Sequence, residues 1–509
     1  MTIRSLSCLL EGMKKTVHRK EVKSAKSKPA TQPKKGDIID VSVFDLNEEG
    51  FATAVYEGIR LFVSGALPGE DVRVRITHAG RRELTGEVIR VLRPSTDRLP
   101  DPPCQRAGFC DGCPLISMRY PGQLAWKRSY VEKSVHARRS LRDVPVQSVL
   151  PSPRPLNYRN SAKLVVAGTF RSPVIGIYRR NSHDVLDISD CPLHHPLINR
   201  IAATVKDGIR KGKVPVYSPR TGSGILRYLV IRVSERHERA MVVFVTSRRS
   251  FNEIHHLAKY VRQAIPEVDV VVQNVNASEG NVILGQHDHY VSKDHAIIEE
   301  VGDIRFSISP RSFFQVNSGG ARLIYDKVRE WSSLTGSESV VDLYCGIGGI
   351  SLYLAGQARE VHGIEFVETA VADAEKNARL NHIDNCTFES GDASELLEAL
   401  HEEGKPVDLI VLNPPRKGCD RRVLETAAAI ATPRIIYVSC SPLTLARDLE
   451  ILAELGYRTR EIQPVDMFPQ TPHIENVALV VRDAAPESGA RIPRKPAASD
   501  KIKKKRGTA

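Results

Sequence analysis

The stretch that decides the fold is VVDLYCGIGG (residues 340–349), which runs directly into ISLYLAGQ (350–357). An apolar run ends in a glycine-rich turn, and a helical pattern starts immediately after it. Glycines at a strand end allow the backbone to approach a bound ligand closely. The stretch therefore predicts a buried strand, a ligand-binding turn and a helix.

Apolar runs of the same kind continue through the region 301–484. They are EVHGIE (360–365), CTFESGD (386–392), VDLIVLNPP (407–415), RIIYVSC (434–440) and ENVALVVR (475–482). Parallel strands read this way when helices cover both faces of their sheet. We therefore predict a Rossmann-like, doubly wound α/β domain over 301–484.

Two acidic residues stand where a cofactor with a ribose would need them. Glu365 follows Gly346 by 19 residues, at the tip of the next strand, where a carboxylate can accept hydrogen bonds from ribose hydroxyls. Asp392 ends the third strand and could accept from an adenine amino group. The turn lacks the G-x-G-x-x-G spacing of nicotinamide sites, and the region resembles class I S-adenosylmethionine-dependent methyltransferases.

A cysteine and a glutamate are predicted to reach the same edge of the sheet. Cys440 ends an apolar strand, and Glu475 begins the last one. Taken alone, such a cysteine is more often an inert buried thiol, and such a glutamate is usually solvated. Beside a methyl donor, however, a thiolate and a carboxylate supply the nucleophile and base that C5 methylation of a pyrimidine requires.

The region N-terminal to this domain divides into two further predicted parts. Residues 37–95 show about five short alternating runs broken by glycine turns, which predicts a small β-barrel. Its GFA (50–52), FV (62–63), ALPGE (66–70) and GEV (86–88) segments resemble the TRAM domain, an OB-like RNA-binding module. Residues 96–300 mix helical and alternating patterns, so we predict a central α+β domain there.

Residues 37–482 as a whole resemble bacterial RNA (uracil-5-)-methyltransferases, in particular the 23S rRNA enzymes with an N-terminal TRAM domain. The matching stretches are SFFQVN (312–317), DLYCGIG (342–348), NPPRKG (413–418), YVSC (437–440) and DMFPQTPHIE (466–475). The resemblance implies methylation of uracil C5 in RNA, with Cys440 as nucleophile through a covalent bond to C6 and Glu475 as proton acceptor. The residues expected at the methyl donor are Gln315, Tyr344, Gly346, Glu365, Asp392 and Asn413.

Three positions depart from the family pattern. Asn413 stands where Asp is usual, Gly349 where Asn is common, and Ser441 where Asn usually follows the nucleophile. A carboxylate only accepts from uracil N3–H, whereas an amide also donates, so Asn413 could satisfy cytosine as well.

Several alternatives to the rRNA assignment therefore stay open. They are a tRNA uracil-5 or RNA cytosine-5 methyltransferase and a non-catalytic RNA-binding or assembly protein on the same fold. An amino-group methyltransferase is also open, although Arg416 stands where its Asn-Pro-Pro motif normally continues with an aromatic residue.

Four cysteines form a candidate metal site. Cys104, Cys110 and Cys113 have C-x5-C-x2-C spacing, and Cys191 lies in Asp-Cys-Pro. Four thiolates bind either zinc or a [4Fe–4S] cluster. The family resemblance implies the cluster with these four ligands, while zinc with His194 or His195 as a substitute ligand stays open.

The net charge of +13 is concentrated at the chain ends. Residues 1–36 carry ten Lys and Arg against two Glu, and residues 489–509 carry eight against one Asp. We predict disordered basic tails at 1–36 and 485–509, with Met1 or Met13 as the start, that attract RNA phosphates. Without a long apolar stretch or a secretion signal, we expect a cytoplasmic protein with an RNA partner, no membrane association and no evident obligate protein partner.

Overall fold

The computed structural model describes residues 33–179, 182–249, 252–278 and 282–483. Nearly all of the two predicted basic tails, 1–36 and 485–509, therefore lies outside the described residues. The chain divides into two compact units, one of residues up to Leu46 with Phe51–Ser95, and one of Asn47–Gly50 with the chain from Thr96 onward. Within the described ranges, no helix has both the length and the apolar character needed to cross a bilayer.

The first unit is a six-stranded sheet. Its strands are β1 (Ile38–Ser42), β2 (Asp45–Leu46), β3 (Ala52–Tyr56), β4 (Ile59–Ser64), β5 (Asp71–Ala79) and β6 (Glu83–Arg93), in the order β1-β5-β6-β4-β3-β2. In β5, Val72, Val74 and Ile76 are buried and the residues between them are exposed, which is the alternation expected of a strand with one face on a core. β1 also contacts β3, so the sheet curls on itself as predicted for a small barrel.

The second unit begins with α1 (Tyr120–His136) and a 3-10 turn (Arg139–Leu141) and continues with a mixed sheet. The elements of this part are β7 (Ser161–Gly168), β8 (Pro173–Tyr178), β9 (Val185–Asp187), α2 (Pro196–Lys211), β10 (Leu226–Ser234), β11 (Arg239–Thr246), α3 (Asn252–Ala264), β12 (Val268–Val275) and β13 (His287–Tyr290). The sheet order is β13-β12-β11-β10-β7-β8-β9. Helices α2 and α3 pack on one face of this sheet.

A hairpin, β14 (Ile297–Val301) and β15 (Ile304–Ile308), follows the central sheet. The boundary predicted between residues 300 and 301 falls inside this hairpin. One apolar core contains Val243 and Val272 of the central sheet together with Val340 and Val411 of the C-terminal sheet. The central and C-terminal parts therefore share a core, which an apolar pattern along the chain does not reveal.

The C-terminal part is the predicted doubly wound α/β fold. Its elements are α4 (Ser318–Ser332), β16 (Ser339–Leu343), α5 (Gly349–Ala355), β17 (Glu360–Glu365), α6 (Glu368–Leu380), β18 (Cys386–Ser390), α7 (Ala393–Glu402), β19 (Leu409–Leu412), α8 (Arg421–Ala429), β20 (Arg434–Ser439), α9 (Pro442–Glu454), β21 (Tyr457–Val465) and β22 (Glu475–Arg482). The sheet order is β18-β17-β16-β19-β20-β22-β21. The first five strands of this order are parallel, and β22 runs antiparallel between β20 and β21.

The strand order creates the binding edge. Val340 packs into the core on one face of the sheet and Val341 into the core on the other, so both faces are covered. β16 lies between β17 and β19, so the strands that follow it in sequence are added first on one side of it and then on the other. The strand order therefore reverses at β16. In open α/β sheets, ligands bind in the crevice outside the carboxyl ends of the strands at such a point.

Candidate active site

A cleft of about 1300 Å³ opens at the carboxyl edge of the C-terminal sheet. The structure brings together in it all the residues predicted for the donor site and for catalysis. They are Gln315, Tyr344, Gly346, Glu365, Asp392, Asn413, Cys440 and Glu475. We call the first six of these, with their strand ends, the donor side of the cleft, and Cys440 with Glu475 the nucleophile side.

The glycine turn after β16 forms the floor of the donor side. Gly346 and Gly348 have positive φ angles of 57° and 82°, which L side chains rarely adopt. A Cβ on Gly346 would have open space around it for 4 Å, so a ligand can approach this backbone. Tyr344 also has a positive φ, 64°, and a strained non-glycine residue of this kind is found mostly at functional sites.

Glu365 is fastened to the same turn. Its Oε2 accepts a hydrogen bond from the Gly346 N–H at 3.1 Å, and its Oε1 accepts from the Val367 N–H at 3.0 Å. Each carboxylate oxygen can accept a second bond. The side chain is thus held in one orientation and keeps acceptor capacity for ribose hydroxyls.

Asp392 has a structural role beside its predicted one. Its Oδ1 accepts from the Ser394 N–H at 2.9 Å and from the Glu395 N–H at 3.4 Å, which makes Asp392 the N-cap of α7. The side-chain bond from Ser394 is the largest cause of the lowered pKa of Asp392. The second oxygen, Oδ2, takes no part in this cap and is the one available to a ligand.

Two of the three departures from the family pattern have local explanations. A Cβ on Gly349 would lie 2.5 Å from the Tyr325 hydroxyl oxygen, so Tyr325 occupies the space of a larger residue. Ser441 is the N-cap of α9, since its Oγ accepts from the Thr444 N–H at 3.4 Å. Serine and asparagine are comparable N-caps, so this change preserves the local structure.

The nucleophile side follows from an antiparallel register. Ser439, the last residue of β20, pairs with Asn476 of β22. The next residue outward on each strand is Cys440 and Glu475, respectively, so the two strands bring these side chains to the same edge. Both side chains line the cleft, Cys440 half-buried and Glu475 buried.

The electrostatics of this side are set by burial and by one arginine. Burial raises the pKa of Glu475 to about 8, although the Arg416 guanidinium lowers it in part. Burial and then the Glu475 carboxylate raise the pKa of the Cys440 thiol, while Arg416 again opposes the shift. Burial, followed by Arg416, lowers the pKa of His473 to about 4, so this ring is neutral at physiological pH.

Several residues that line the cleft have no functional role predicted from the sequence. Arg416 Nη2 lies 3.5 Å from His473 Nδ1, and both residues sit inside motifs that the family resemblance had already picked out. Phe313 and Phe366 line the cleft with about three quarters of their surface exposed. The place of Phe313 at the cleft could have been predicted, because this residue lies in the SFFQVN motif.

The loop that carries Asn413 and Arg416 is fixed from α9. Asp448, fully buried, accepts from the Cys419 N–H at 2.8 Å and from the Tyr437 hydroxyl at 2.6 Å. Gly418 has a positive φ of 78°, and a Cβ there would lie 2.5 Å from Asp448 Oδ2. The helix that begins after the nucleophile therefore also holds the facing loop.

The four cysteines of the predicted metal site are neighbours in the structure. Burial, then the nearby Cys191, Cys110 and Cys104 thiols, raise the pKa of Cys113, and the remaining pairs of these thiols also interact. Backbone N–H groups point at the sulfurs, for example Arg106 N at 3.4 Å from Cys104 Sγ. Among the residues that the structure describes, no three or more His, Cys, Asp or Glu side chains are arranged to hold a metal ion.

The two histidines considered as substitute zinc ligands make other contacts. His195 Nδ1 accepts from the Leu197 N–H at 3.3 Å as the N-cap of α2. His194 Nδ1 lies 3.3 Å from Asn199 Oδ1, and burial lowers the pKa of His194 to about 4.

Comparison with known proteins identifies the family. Residues 228–483 match the profile of the tRNA (uracil-5-)-methyltransferases, and residues 32–89 match that of the TRAM domain. An uncharacterized RNA methyltransferase of Geobacter sulfurreducens is 63% identical over 92% of this chain and 96% of its own. The chain belongs to the tRNA (uracil-5-)-methyltransferase family.

Other members of the family extend over almost the same length. An uncharacterized RNA methyltransferase of Enterococcus faecalis is 40% identical over 88% of this chain and 98% of its own. The crystal structure of the Pyrococcus abyssi tRNA (uracil-54, C5)-methyltransferase in complex with S-adenosyl-L-homocysteine matches with a TM-score of 0.72 and 29% identity, over 87% of this chain and all of that one. The predicted fold and the prediction of an RNA (uracil-5-)-methyltransferase are thereby confirmed.

Proposed function

We propose that this methyltransferase acts on a uracil in ribosomal RNA through a covalent bond between Cys440 Sγ and C6 of the base. The observation that carries the proposal is the register of β20 and β22, which places Cys440 and Glu475 side by side at the cleft. A nucleophile and a base on one side of a cleft, with a donor site on the other, meet the chemical requirements of C5 methylation.

The donor side fits S-adenosylmethionine. The open backbone at Gly346 leaves room for the ligand, Glu365 offers acceptors for the ribose, and Oδ2 of Asp392 is available to an amino group. S-adenosylmethionine supplies an electrophilic methyl group on its sulfonium sulfur.

Cys440 and Glu475 act in turn on the base. The Cys440 thiolate adds to C6 of uracil, which turns C5 into an enolate carbon. C5 then bonds to the donor methyl group as the bond between that methyl group and the sulfonium sulfur breaks, which leaves neutral S-adenosylhomocysteine. Glu475 accepts the proton from C5, a step that requires its buried carboxyl group to be in the ionised form, which its raised pKa disfavours. The enolate then re-forms the C5–C6 double bond, the Sγ–C6 bond breaks, and Cys440 leaves as the thiolate while Glu475 releases its proton to water.

RNA that contains 5-fluorouridine tests this mechanism. Fluorine at C5 cannot leave as a cation, so the adduct with Cys440 persists after methyl transfer. We expect a denaturation-stable RNA–protein complex whose mass spectrum locates the bond at Cys440, and none with Cys440→Ala. Methylation by Cys440→Ala at the wild-type rate would overturn the mechanism.

The choice of ribosomal RNA rests on the likeness of the TRAM module and the cysteine cluster to the ribosomal enzymes. The archaeal enzyme that matches over its full length acts on uracil 54 of tRNA, which favours tRNA as the second candidate. Mapping of 5-methyluridine in the ribosomal and transfer RNA of a deletion strain distinguishes them. We expect the deletion strain to lack a 5-methyluridine in 23S rRNA and to keep those of its transfer RNA.

Asn413 bears on the choice of base. Its side chain lines the cleft on the loop that faces Cys440. Because an amide both donates and accepts, it can pair with N3 of uracil or of cytosine, whereas Asp accepts only from uracil. We expect Asn413→Asp to raise the preference for uridine over cytidine RNA by about tenfold, the value of roughly one hydrogen bond to a charged group. Equal preference in the two proteins would remove the role of this position.

We propose in addition that Cys104, Cys110, Cys113 and Cys191 hold a [4Fe–4S] cluster. Burial, followed by repulsion from the neighbouring thiolates, raises the pKa of Cys110, Cys113 and Cys191, so binding them as thiolates calls for a cation. Backbone N–H groups stabilise sulfur ligands. Each iron of a [4Fe–4S] cluster takes a single thiolate, so four neighbouring cysteines supply one ligand to each iron.

Metal analysis after anaerobic purification tests the cluster. Four iron and four sulfide per chain are expected, together with broad visible absorbance from sulfur-to-iron charge transfer. Stoichiometric zinc without sulfide would overturn the assignment.

A further inference from the structure

We propose that Lys127 and Asp466 are positioning residues that hold the Glu475 carboxylate in place across the cleft from the methyl donor. This inference rests on the proposed role of Glu475 as the base. Lys127 belongs to helix α1, which lies far from the catalytic motifs in sequence and outside the cleft.

The position of Glu475 depends on the end of a hairpin. Glu475 is the first residue of β22 and pairs with Val465, the last residue of β21. Asp466 follows directly, and the segment 466–474 connects the two strands without regular secondary structure. A displacement of Asp466 would therefore move the strand partner of Glu475.

Asp466 is bound by a lysine from another part of the chain. Lys127 Nζ lies 2.5 Å from Asp466 Oδ1 and donates to the Phe468 carbonyl at 3.0 Å. Both side chains of the ion pair have no exposed surface. Apolar residues of similar volume often stabilise a fold as well as a buried ion pair does. The presence of the pair therefore indicates that the position of the segment after β21 matters.

Helix α1 and its surroundings hold the rest of the segment. Gln123 and Gln470 exchange two hydrogen bonds, from Gln123 Nε2 to Gln470 Oε1 at 2.8 Å and from Gln470 N to Gln123 Oε1 at 2.9 Å. The Tyr158 hydroxyl donates to the Pro469 carbonyl at 3.0 Å, and Asn317 Nδ2 donates to the Met467 carbonyl at 2.9 Å. The five residues from Asp466 to Gln470 are thus all bonded to side chains from outside the hairpin.

The ion pair also reaches the cleft electrostatically. The positive charge of Lys127 contributes, after burial and Arg416, to the lowered pKa of His473. His473 lies in the cleft and stands edge-on to Phe468, with 6.1 Å between ring centroids. Lys127 therefore also contributes to keeping His473 neutral.

The test separates proton removal from methyl transfer. In Lys127→Met/Asp466→Asn both charges are removed together, which avoids an unpaired buried charge. With ordinary uridine RNA, a misplaced base should leave the methylated RNA bound to Cys440, as we expect for Glu475→Gln. We expect this adduct to accumulate and its release to slow by at least about tenfold, while the affinity for S-adenosylhomocysteine and the rate of adduct formation stay unchanged.

The control is Arg379→Met/Glu375→Gln, an exposed ion pair on α6 with 3.7 Å between Arg379 Nη1 and Glu375 Oε2. It should behave as the wild type. Gln123→Leu, which leaves the ion pair intact, should slow release in the same direction by a smaller factor and replaces the double variant should that one fail to fold. Release at the wild-type rate in a folded double variant, or equal loss of adduct formation and release, overturns the inference.

Failure of the proposed mechanism would look different. If the wild-type protein forms no adduct with 5-fluorouridine RNA, the roles of Cys440 and Glu475 fail, and this inference fails with them. If the wild type forms the adduct and the double variant releases its product normally, only the role of Lys127 and Asp466 is lost.

Discussion

On the donor side of the cleft, Gly346, Glu365 and Asp392 each stand at the end of their own parallel strand, and each is oriented by bonds to residues within the C-terminal fold. On the nucleophile side, Glu475 stands at the start of an antiparallel strand, and the segment before it is held by side chains such as Lys127, more than 300 residues earlier. The first arrangement is local, and the second depends on the whole second unit.

This difference separates two tasks. A donor site made of strand ends and backbone N–H groups forms wherever the sheet forms, as in other α/β folds. A base that must accept one proton from one carbon needs a fixed position, and its surroundings are correspondingly buried and bonded. We therefore expect the two sides to respond independently to substitution.

The largest effect should come from Cys440→Ala. Without the thiolate, C5 is not activated, so methyl transfer should fall by about 10⁴-fold or more. The affinity for S-adenosylhomocysteine, measured by calorimetry, should stay within about twofold because the donor side is built separately. Cys386→Ala, a half-buried thiol of the same sheet that does not line the cleft, is the control and should keep full activity. Joint loss of donor binding and transfer in Cys440→Ala would contradict the independence of the two sides.

Glu365→Ala should give the converse result. The variant removes the acceptors for the ribose and the bond that holds the Gly346 N–H at 3.1 Å. Loss of hydrogen bonds to a charged group weakens binding by about 10- to 100-fold. Calorimetry should show this weakening for S-adenosylhomocysteine, while RNA affinity in a filter-binding assay stays unchanged. An equal loss of RNA affinity would show that the two sides are coupled.

The parts that could be predicted from the sequence are those with local causes. The strand–turn–helix at 340–355, the last strand at 475–482 and the donor residues follow from apolar runs and glycines, because parallel strands place their carboxyl ends at one edge. That Cys440 and Glu475 reach the same edge could also be predicted from the ends of their strands. Their direct adjacency could not, because it depends on the register of β20 and β22, which is not written in either strand alone.

Other features depend on contacts between distant residues and could not be predicted. Lys127 looks like an ordinary basic residue of an exposed helix, and only the fold shows that it is fully buried against Asp466. The pattern along the chain predicts a boundary after residue 300, but it does not reveal that the central and C-terminal sheets share one apolar core or that this position lies inside a hairpin. The capping role of Asp392 also escaped prediction. An aspartate between a strand and a helix is expected both of a helix N-cap and of a ligand-binding residue, so the sequence does not tell the two roles apart.

Glu475→Gln should stabilise the protein at high pH while it blocks release of the product. The carboxyl group has a pKa of about 8 in the folded protein against an ordinary 4.5, so folding favours its protonated form. Stability from this group is present at low pH and is lost as the pH rises toward about 8. Relative to wild type, the glutamine variant should therefore gain about 3 kcal/mol in free energy of unfolding between pH 5.5 and 8.5. Urea unfolding at both pH values measures it, and a constant difference would show that Glu475 is ionised in the folded state.

The smallest effect concerns Ser441, which departs from the family pattern directly beside the nucleophile. Its Oγ accepts the Thr444 N–H at 3.4 Å and caps α9, the helix whose Asp448 holds the loop of Asn413. Asparagine caps helices as well as serine does, so Ser441→Asn should leave both the free energy of unfolding, within about 0.5 kcal/mol, and the methylation rate unchanged. Ser441→Ala should cost about 1 kcal/mol, because one N–H at the start of α9 loses its acceptor. Chemical unfolding and single-turnover kinetics of both variants provide the measurement. A large change in the methylation rate with Ser441→Asn would mean that Ser441 contacts the base. The nucleophile side would then include Ser441 in addition to Cys440 and Glu475.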